Sequence, residues 1–384
     1  MAICLSFGGT NTYRTDSTSP SRELLVGTAD GVFLLERENS KKWRVSRRGL
    51  EGKHIHGLIF EPSSGLTFAG AEEASIYASS DLGKTWELRD KGLTVKNIFS
   101  LNFRRVGTTT KIYAGTEPAH LFVTENFGET WRELDSLQSV PSRPQWTYPR
   151  PPHIPHVRNI NFDPTDSNTI YASVEQGGLF KSRDAGSTWE ELHGFDANVP
   201  WDLDAGSFPD DVHRMAIRPN DPNCLYTLGG AGICRSKDGG KSWEHLTKRF
   251  MQLRYPDGLV IHPERVELMF VAGAKMNPKH WRTERGADTT IARSRNGGDT
   301  WEPLHGGLPA QMYQAIEAMA MEVWNNGFAL YAGTTSGEIL YSEDEGENWT
   351  NIAQGSDLKP IAKGVHHKTL SRSSAAEASA HAAH

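Results

Sequence analysis

Short runs in which apolar and polar residues alternate, each closed by Gly, Pro, Asp or Asn, fill the chain from about residue 21 to residue 370. Alternation with a period of two is the pattern of half-buried strands. The runs come in a fixed order: an alternating strand ending near an x-Pro pair, a short strand such as Leu66–Ala71, a strand entering a turn, and a strand starting at a tryptophan. The turn is marked by a box that recurs six times, Ser/Thr-x-Asp/Asn-x-Gly-x-x-Trp. It reads Ser79-Ser-Asp81-Leu-Gly83-Lys-Thr85-Trp86 in its first full copy, and the others end at Trp131, Trp189, Trp243, Trp301 and Trp349. An eroded seventh copy ends at Trp43, after the apolar run Gly31-Val-Phe-Leu-Leu. The mean tryptophan spacing is about 51 residues, the size of one four-stranded propeller blade. Four strands in each of seven repeats predict an all-β fold, a single seven-bladed β-propeller with four-stranded antiparallel blades.

The box has a physical role in such a fold. Its Asp or Asn accepts backbone N–H groups across a tight corner, its Gly supplies a positive φ, and its Trp anchors the next strand. The aspartates of the boxes are therefore assigned to structure, not to catalysis. With these boxes the sequence resembles the BNR/Asp-box repeat family, found in sialidases, sortilin-type receptors, some endoglucanases and photosystem II assembly factors. The resemblance covers residues 21–370 and implies the propeller fold; it does not select one activity, because the members differ. Gly-His and Trp-Asp signatures of WD40 propellers are absent from the repeat positions.

The first repeat has a second, third and fourth strand in Leu24–Ala29, Gly31–Arg37 and Trp43–Arg47 but no obvious first. A sheet edge left open here needs cover. The C-terminal stretch 360–370 is the first candidate to supply it and Ala2–Phe7 the alternative. Otherwise residues 1–20 and the Ser/Ala-rich 371–384 read as tails.

Composition adds exclusions. The chain of 384 residues has 37% hydrophobic residues, 41 Lys and Arg against 47 Asp and Glu, and no block of like charge that marks a nucleic-acid surface. The apolar piece Ala2–Phe7 is shorter than the core of a secretory signal or a membrane span, which predicts a cytoplasmic protein. Cys4, Cys224 and Cys234 have no metal spacing and read as small buried apolar residues.

Candidate chemistry comes from aligning the starts of the inner strands through the pairs that end them: Glu61-Pro62, Arg104-Arg105, Asp163-Pro164, Arg218-Pro219, His262-Pro263 and Glu322-Val323. Six residues before the second member stand His56, Phe99, Arg158, His213, Asp257 and Glu317, with His54 and His156 two residues earlier in their strands. Imidazoles and a carboxylate converging on one axis are a donor set for zinc, manganese or iron. This predicts a metal held by some of His56, His213, Glu317 and His366. Arg158 then binds a substrate carboxylate or stabilises negative charge, and His54, His156 or Asp257 serves as general base or acid. A one-residue error of register turns any of these side chains to the other face. Three long loops bring aromatic and cationic residues over the same mouth: Trp146 and Tyr148, then Trp201, then Trp281 and Arg282, read as the substrate wall.

Three functions remain open on these residues. The leading one is a metal-dependent hydrolase or lyase acting on a small carboxylated, glycosidic or aromatic substrate. A metal-independent glycoside hydrolase is the second, drawing on Glu72, Glu73, Glu117, Glu175, Asp202 and Asp204, with Glu175 and Asp202 as the pair. The third is a non-catalytic scaffold that binds a protein partner. No Phe/Tyr-Arg-Ile-Pro motif is present and seven repeats exceed the six of sialidases, which argues against that activity. Endoglucanases of this repeat type use a cleft between two propellers, where this chain has one. The G-x-S-x-G elbow and nucleotide-binding loops are also absent.

Overall fold

Seven sheets, six of four strands and one of five, form the blades in the computed structural model, antiparallel except where two short N-terminal strands join the first and the last. The structure describes residues 2–39, 42–148, 152–195, 210–230, 232–247, 250, 253–275, 278, 281, 286–353 and 358–361. The inner strands of blades 2 to 7 are Ile55–Glu61, Ile98–Val106, Val157–Phe162, Arg214–Arg218, Tyr255–Ile261 and Ile316–Trp324. No helix among the described residues is long and apolar enough to cross a membrane.

The boxes are the corners between third and fourth strands, as their composition predicts. In blade 2 the Ser79 hydroxyl accepts from the Gly83 N–H at 2.8 Å and donates to Asp81 at 2.8 Å, while Asp81 accepts the backbone N–H and the hydroxyl of Thr85, both at 2.8 Å. Leu82 and Gly83 have φ of 55° and 81°, the pair of left-handed residues that a tight hairpin corner of matching twist requires. The same bonds recur around Asp184, Asp238, Asn296 and Asp344.

Blade 1 corrects the expected closure. Its innermost strand is N-terminal: Ile3–Leu5 pairs in parallel with Leu24–Val26, and all three residues are fully buried. An apolar tripeptide fits this doubly covered position. The C-terminal stretch contributes one antiparallel bridge, Thr28 to Ile361, and the Pro360 carbonyl accepts from Ala29. Residues 362–384 lie outside the described residues.

Residues 1–20 are therefore not a simple tail. After Leu5 the chain runs across the ring, and Thr12–Arg14 joins blade 7 in parallel with Met321–Val323. On the way Gly8 donates to the His56 carbonyl at 2.7 Å and accepts from the Leu101 N–H at 2.8 Å, and Asn11 reaches the Leu259 carbonyl. A Cβ at Gly8 or Gly9 would press into the Phe99 or Leu58 carbonyl, so only glycine lets this backbone lie so close to the inner strands. Backbone hydrogen bonds, unavailable to a hydropathy reading, are what hold this segment in the channel.

Candidate functional site

Each inner strand of blades 2, 3, 4, 6 and 7 carries an irregularity one or two residues from its start. The register jumps between Ile55 and Gly57, Ile98 and Ser100, Val157 and Asn159, Pro256 and Gly258, and Ile316 and Ala318. The skipped residues are His56, Phe99, Arg158, Asp257 and Glu317. A bulge removes one residue from the ladder and re-aims its side chain, a device common beside active sites. Five of the six aligned positions are thus bulge residues; the sixth, His213, directly precedes the inner strand of blade 5.

A second set of equivalent positions follows the second strand. The N–H of Glu72, Glu117 and Glu175 donates to the carbonyl of His54, Asn97 and His156 respectively, which puts three carboxylates at one level in blades 2, 3 and 4. From sequence, Glu72 and Glu117 stand only among the available acids, and Glu175 is paired with Asp202, which lies outside the described residues. A repeat-level signal was present: Phe68-Ala-Gly-Ala-Glu72, Tyr113-Ala-Gly-Thr-Glu117 and Tyr171-Ala-Ser-Val-Glu175 share an aromatic-Ala-small-x-Glu pattern.

These side chains form two groups joined by a ring stack. In the first, His54 Nδ1 lies 2.6 Å from Glu72 Oε2, and His56 Nε2 lies 3.7 Å from the same oxygen. The His56 ring is sandwiched between His54 at 4.1 Å and Phe99 at 4.3 Å. His156 stacks on Phe99 at 3.8 Å, so the two imidazoles occupy opposite faces of one benzene ring. His156 begins the second group, with Nδ1 3.3 Å from Glu117 and Nε2 2.9 Å from Glu175. Arg158 then pairs with Glu175 and, at 2.5 Å, with Asp257. His213 stands between Asp257 and Asp211, 3.2 Å from each. Phe7 of the N-terminal segment forms the floor, its ring 4.3 Å beneath the Arg158 guanidinium.

Burial and charge pull the titrations apart. His56 is driven down to about 3 by burial and by neighbouring His54, so it is neutral at physiological pH. The hydrogen bond with His54 and the nearby His56 imidazole hold the Glu72 carboxyl far below its usual range. Burial pushes the His156 imidazole down, but Glu117 and Glu175 outweigh it and hold it above its ordinary value. His213 shows the same contest, won by Asp211 and Asp257. Burial raises Asp257, and Arg158 and His213 reverse this to a net lowering. Most of the cluster is sealed; His54, Glu72 and Glu117 keep 16 to 18% side-chain exposure and form the accessible rim.

The predicted residues divide accordingly. His54, His56, His156, Arg158, His213, Asp257 and Glu317 all lie at the inner-strand starts, and Arg158 senses the charge of Glu317. Of the expected metal ligands, His56, His213 and Glu317 are described and do not form one group: His56 groups with His54 and Glu72, and His213 with Glu175 and Asp211, with Phe99, His156 and Arg158 between. Arg158 is not open to a substrate carboxylate, since Glu175 and Asp257 occupy its donors. Trp146 and Tyr148 are not an exposed wall. Trp146 is buried against Phe180 with its indole N–H on Ser142, and Tyr148 is buried against His156 at 5.4 Å. Trp281 is partly buried and meets Tyr255 edge-on. His366, Trp201, Asp202, Asp204 and Arg282 lie outside the described residues.

Comparison with known proteins agrees with this scaffold. Residues 74–224 match the Sortilin-Vps10 family, described as sortilin, neurotensin receptor 3. The repeated boxes and the seven blades make the chain similar to the BNR/Asp-box repeat propellers. A xyloglucanase of a Paenibacillus species is 26% identical over 221 residues, half of this chain but 20% of that enzyme's length. An ancestral GH74 enzyme superposes over 83% of this chain and 39% of its own, with a TM-score of 0.58 and 17% identity. YCF48 from Cyanidioschyzon merolae superposes over 78% of this chain and 84% of its own, with a TM-score of 0.50 and 12% identity. At these identities the structural likenesses concern the fold alone.

Proposed function

We propose that the protein is a glycoside hydrolase acting at the channel rim formed by His54, Glu72 and Glu117. The observation that carries this is a pair of partly exposed carboxylates, Glu72 against His54 and Glu117 against His156, beside two imidazoles, His56 and His156, that lie on opposite faces of Phe99 with their titrations pushed in opposite directions. Groups whose environments push their titrations apart are suited to opposite ends of one proton transfer. Glu72, held ionised, bonds through a carboxylate oxygen to the anomeric carbon as the glycosidic C–O bond breaks, and the leaving oxygen receives a proton from His156 through Glu117. Water then displaces Glu72 from that carbon and returns its proton to His156 through Glu117. The xyloglucanase match favours this over a lyase and selects β-linked glucans, with xyloglucan fragments among them, as the first substrates to try.

The test is reducing-end release from a panel of soluble β-glucans by the full chain, with and without added zinc or manganese. General acid–base groups contribute on the order of 10²- to 10⁴-fold, so Glu117→Gln and Glu72→Gln should lose at least about 10²-fold in turnover while staying folded. A folded protein inert to the whole panel under both conditions removes the hydrolase reading. It then leaves a propeller that binds a protein partner, a reading favoured by how tightly the acids around Arg158 are sealed.

A further inference from the structure

We propose that His54, His56 and Glu72 form a binding site for one divalent transition-metal ion, with zinc or manganese the ions of matching chemistry. One ligand atom from each of His54, His56 and Glu72 lies within 4.8 Å of the other two. Zinc bonds of about 2.0–2.2 Å to nitrogen and oxygen set tetrahedral ligands roughly 3.3 Å apart. The present separations of 2.6 and 3.7 Å from Glu72 Oε2 fall on either side of that value.

A separate observation points to a ligand. His56 is 1% exposed, yet neither of its ring nitrogens has a hydrogen-bond partner, and Nε2 is directed at Glu72 from beyond hydrogen-bond reach. Buried polar atoms are ordinarily paired, and an orphaned imidazole between stacked rings calls for an explanation. A metal ion bonded to Nε2 supplies one. The ring has no freedom to seek another partner, because the bulge after Ile55 fixes its backbone and His54 and Phe99 clamp its faces.

The nitrogen donors select transition metals over magnesium or calcium. Three protein ligands leave a coordination position, and the residual exposure of His54 and Glu72 places it toward the rim. The second triad, Glu175, Asp211 and His213, is a poorer host. The Arg158 guanidinium already pairs with Glu175, and both ring nitrogens of His213 face carboxylates. A dication there would confront a fixed positive charge.

Metal binding here does not rest on the glycoside reading, because the ion is read directly, whether or not any glycoside is cleaved. The experiment is elemental analysis of the untagged full chain, purified without chelator and after supplementation with zinc or manganese. Cobalt(II) serves as a spectroscopic probe of nitrogen ligation. About one equivalent is expected in the parent. His54→Gln and Glu72→Gln, both at partly exposed positions, should each raise the Kd at least about tenfold and weaken the cobalt bands, a loss typical of removing a ligand or its support. His213→Asn should leave stoichiometry unchanged. No bound metal after supplementation overturns the site, as does full retention in both ligand variants or a loss produced equally by His213→Asn. Hydrolysis assays on the same samples report separately on the glycoside reading.

Discussion

Arg158→Met probes the charge network with the largest expected effect. The guanidinium is 5% exposed, pairs with Glu175 and Asp257, and covers the Phe7 ring at 4.3 Å. Methionine keeps most of the apolar stem and removes the charge, so the loss reports on pairing more than on packing. Removing one partner of a buried ion pair costs about 3–5 kcal/mol, because the remaining charge is left in a medium that solvates it poorly. Here the cost falls toward the lower end: Glu175 retains His156 at 2.9 Å and Asp257 retains His213 at 3.2 Å. Unfolding entropy of roughly 2.1 cal/mol/K per residue gives about 0.8 kcal/mol/K for the 384-residue chain, so the expected fall in Tm is about 4–6 °C. Differential scanning calorimetry measures it, with Arg158→Lys as the control that restores charge without the fork and recovers only part of the loss. A Tm within 1 °C of the parent would refute the argument that Arg158 holds the blades together. It would return Arg158 to the role of a free substrate-binding cation.

Three further outcomes follow from the same geometry. Ser182→Ala in the blade 4 box leaves the Gly186 N–H without its 2.8 Å acceptor, and should lower stability by about 1–3 kcal/mol in urea unfolding while metal content is unchanged. Gly8→Ala drives a Cβ into the Phe99 carbonyl and should cost about 1–3 kcal/mol; a neutral result would mean the N-terminal segment does not occupy the channel. His156 and His213 titrate above their ordinary 6.5 in the folded protein. Their stabilisation is therefore complete below pH 6.5 and is lost as pH rises through the folded-state values. Urea midpoints should fall from neutral to alkaline pH in the parent and fall less in His213→Asn; a rising parent midpoint contradicts the assignment.

What the sequence made legible was whatever repeats. Asp81, Gly83 and Trp86 recur with fixed spacing because each blade needs the same corner, and that spacing carries the blade count. The aligned positions of His56, Arg158, His213, Asp257 and Glu317 were also readable, since each stands at the same distance from the pair that closes its strand. Their grouping was not. Which acid meets which histidine depends on bulges that take His56, Arg158 and Asp257 out of the ladder, and bulges leave no mark in the alternation of a single strand. Glu72 and Glu117 were visible only as spare carboxylates, because their pattern lies on the second strand while attention to the x-Pro ends selects the first. The N-terminal segment escaped for a different reason: Gly8 and Gly9 matter through backbone approach, which hydropathy does not register.

That segment also changes what kind of site the propeller can hold. An open channel would expose the inner-strand starts to water from both faces, and paired charges screened in that way would titrate close to their ordinary values. With Phe7 under Arg158 and the Gly8 backbone bonded to His56 and Leu101, the channel is stopped below the cluster. Among the described residues the cluster is backed by this segment, and His54, Glu72 and Glu117 are its more exposed members. Cover below helps His56 lie neutral beside a Glu72 held ionised, while His156, one benzene ring away, is shifted the opposite way. The opposed protonation states on the two faces of Phe99, and with them both the proposed proton transfer and the proposed metal site, thus depend on a strand that the blade repeat itself does not supply.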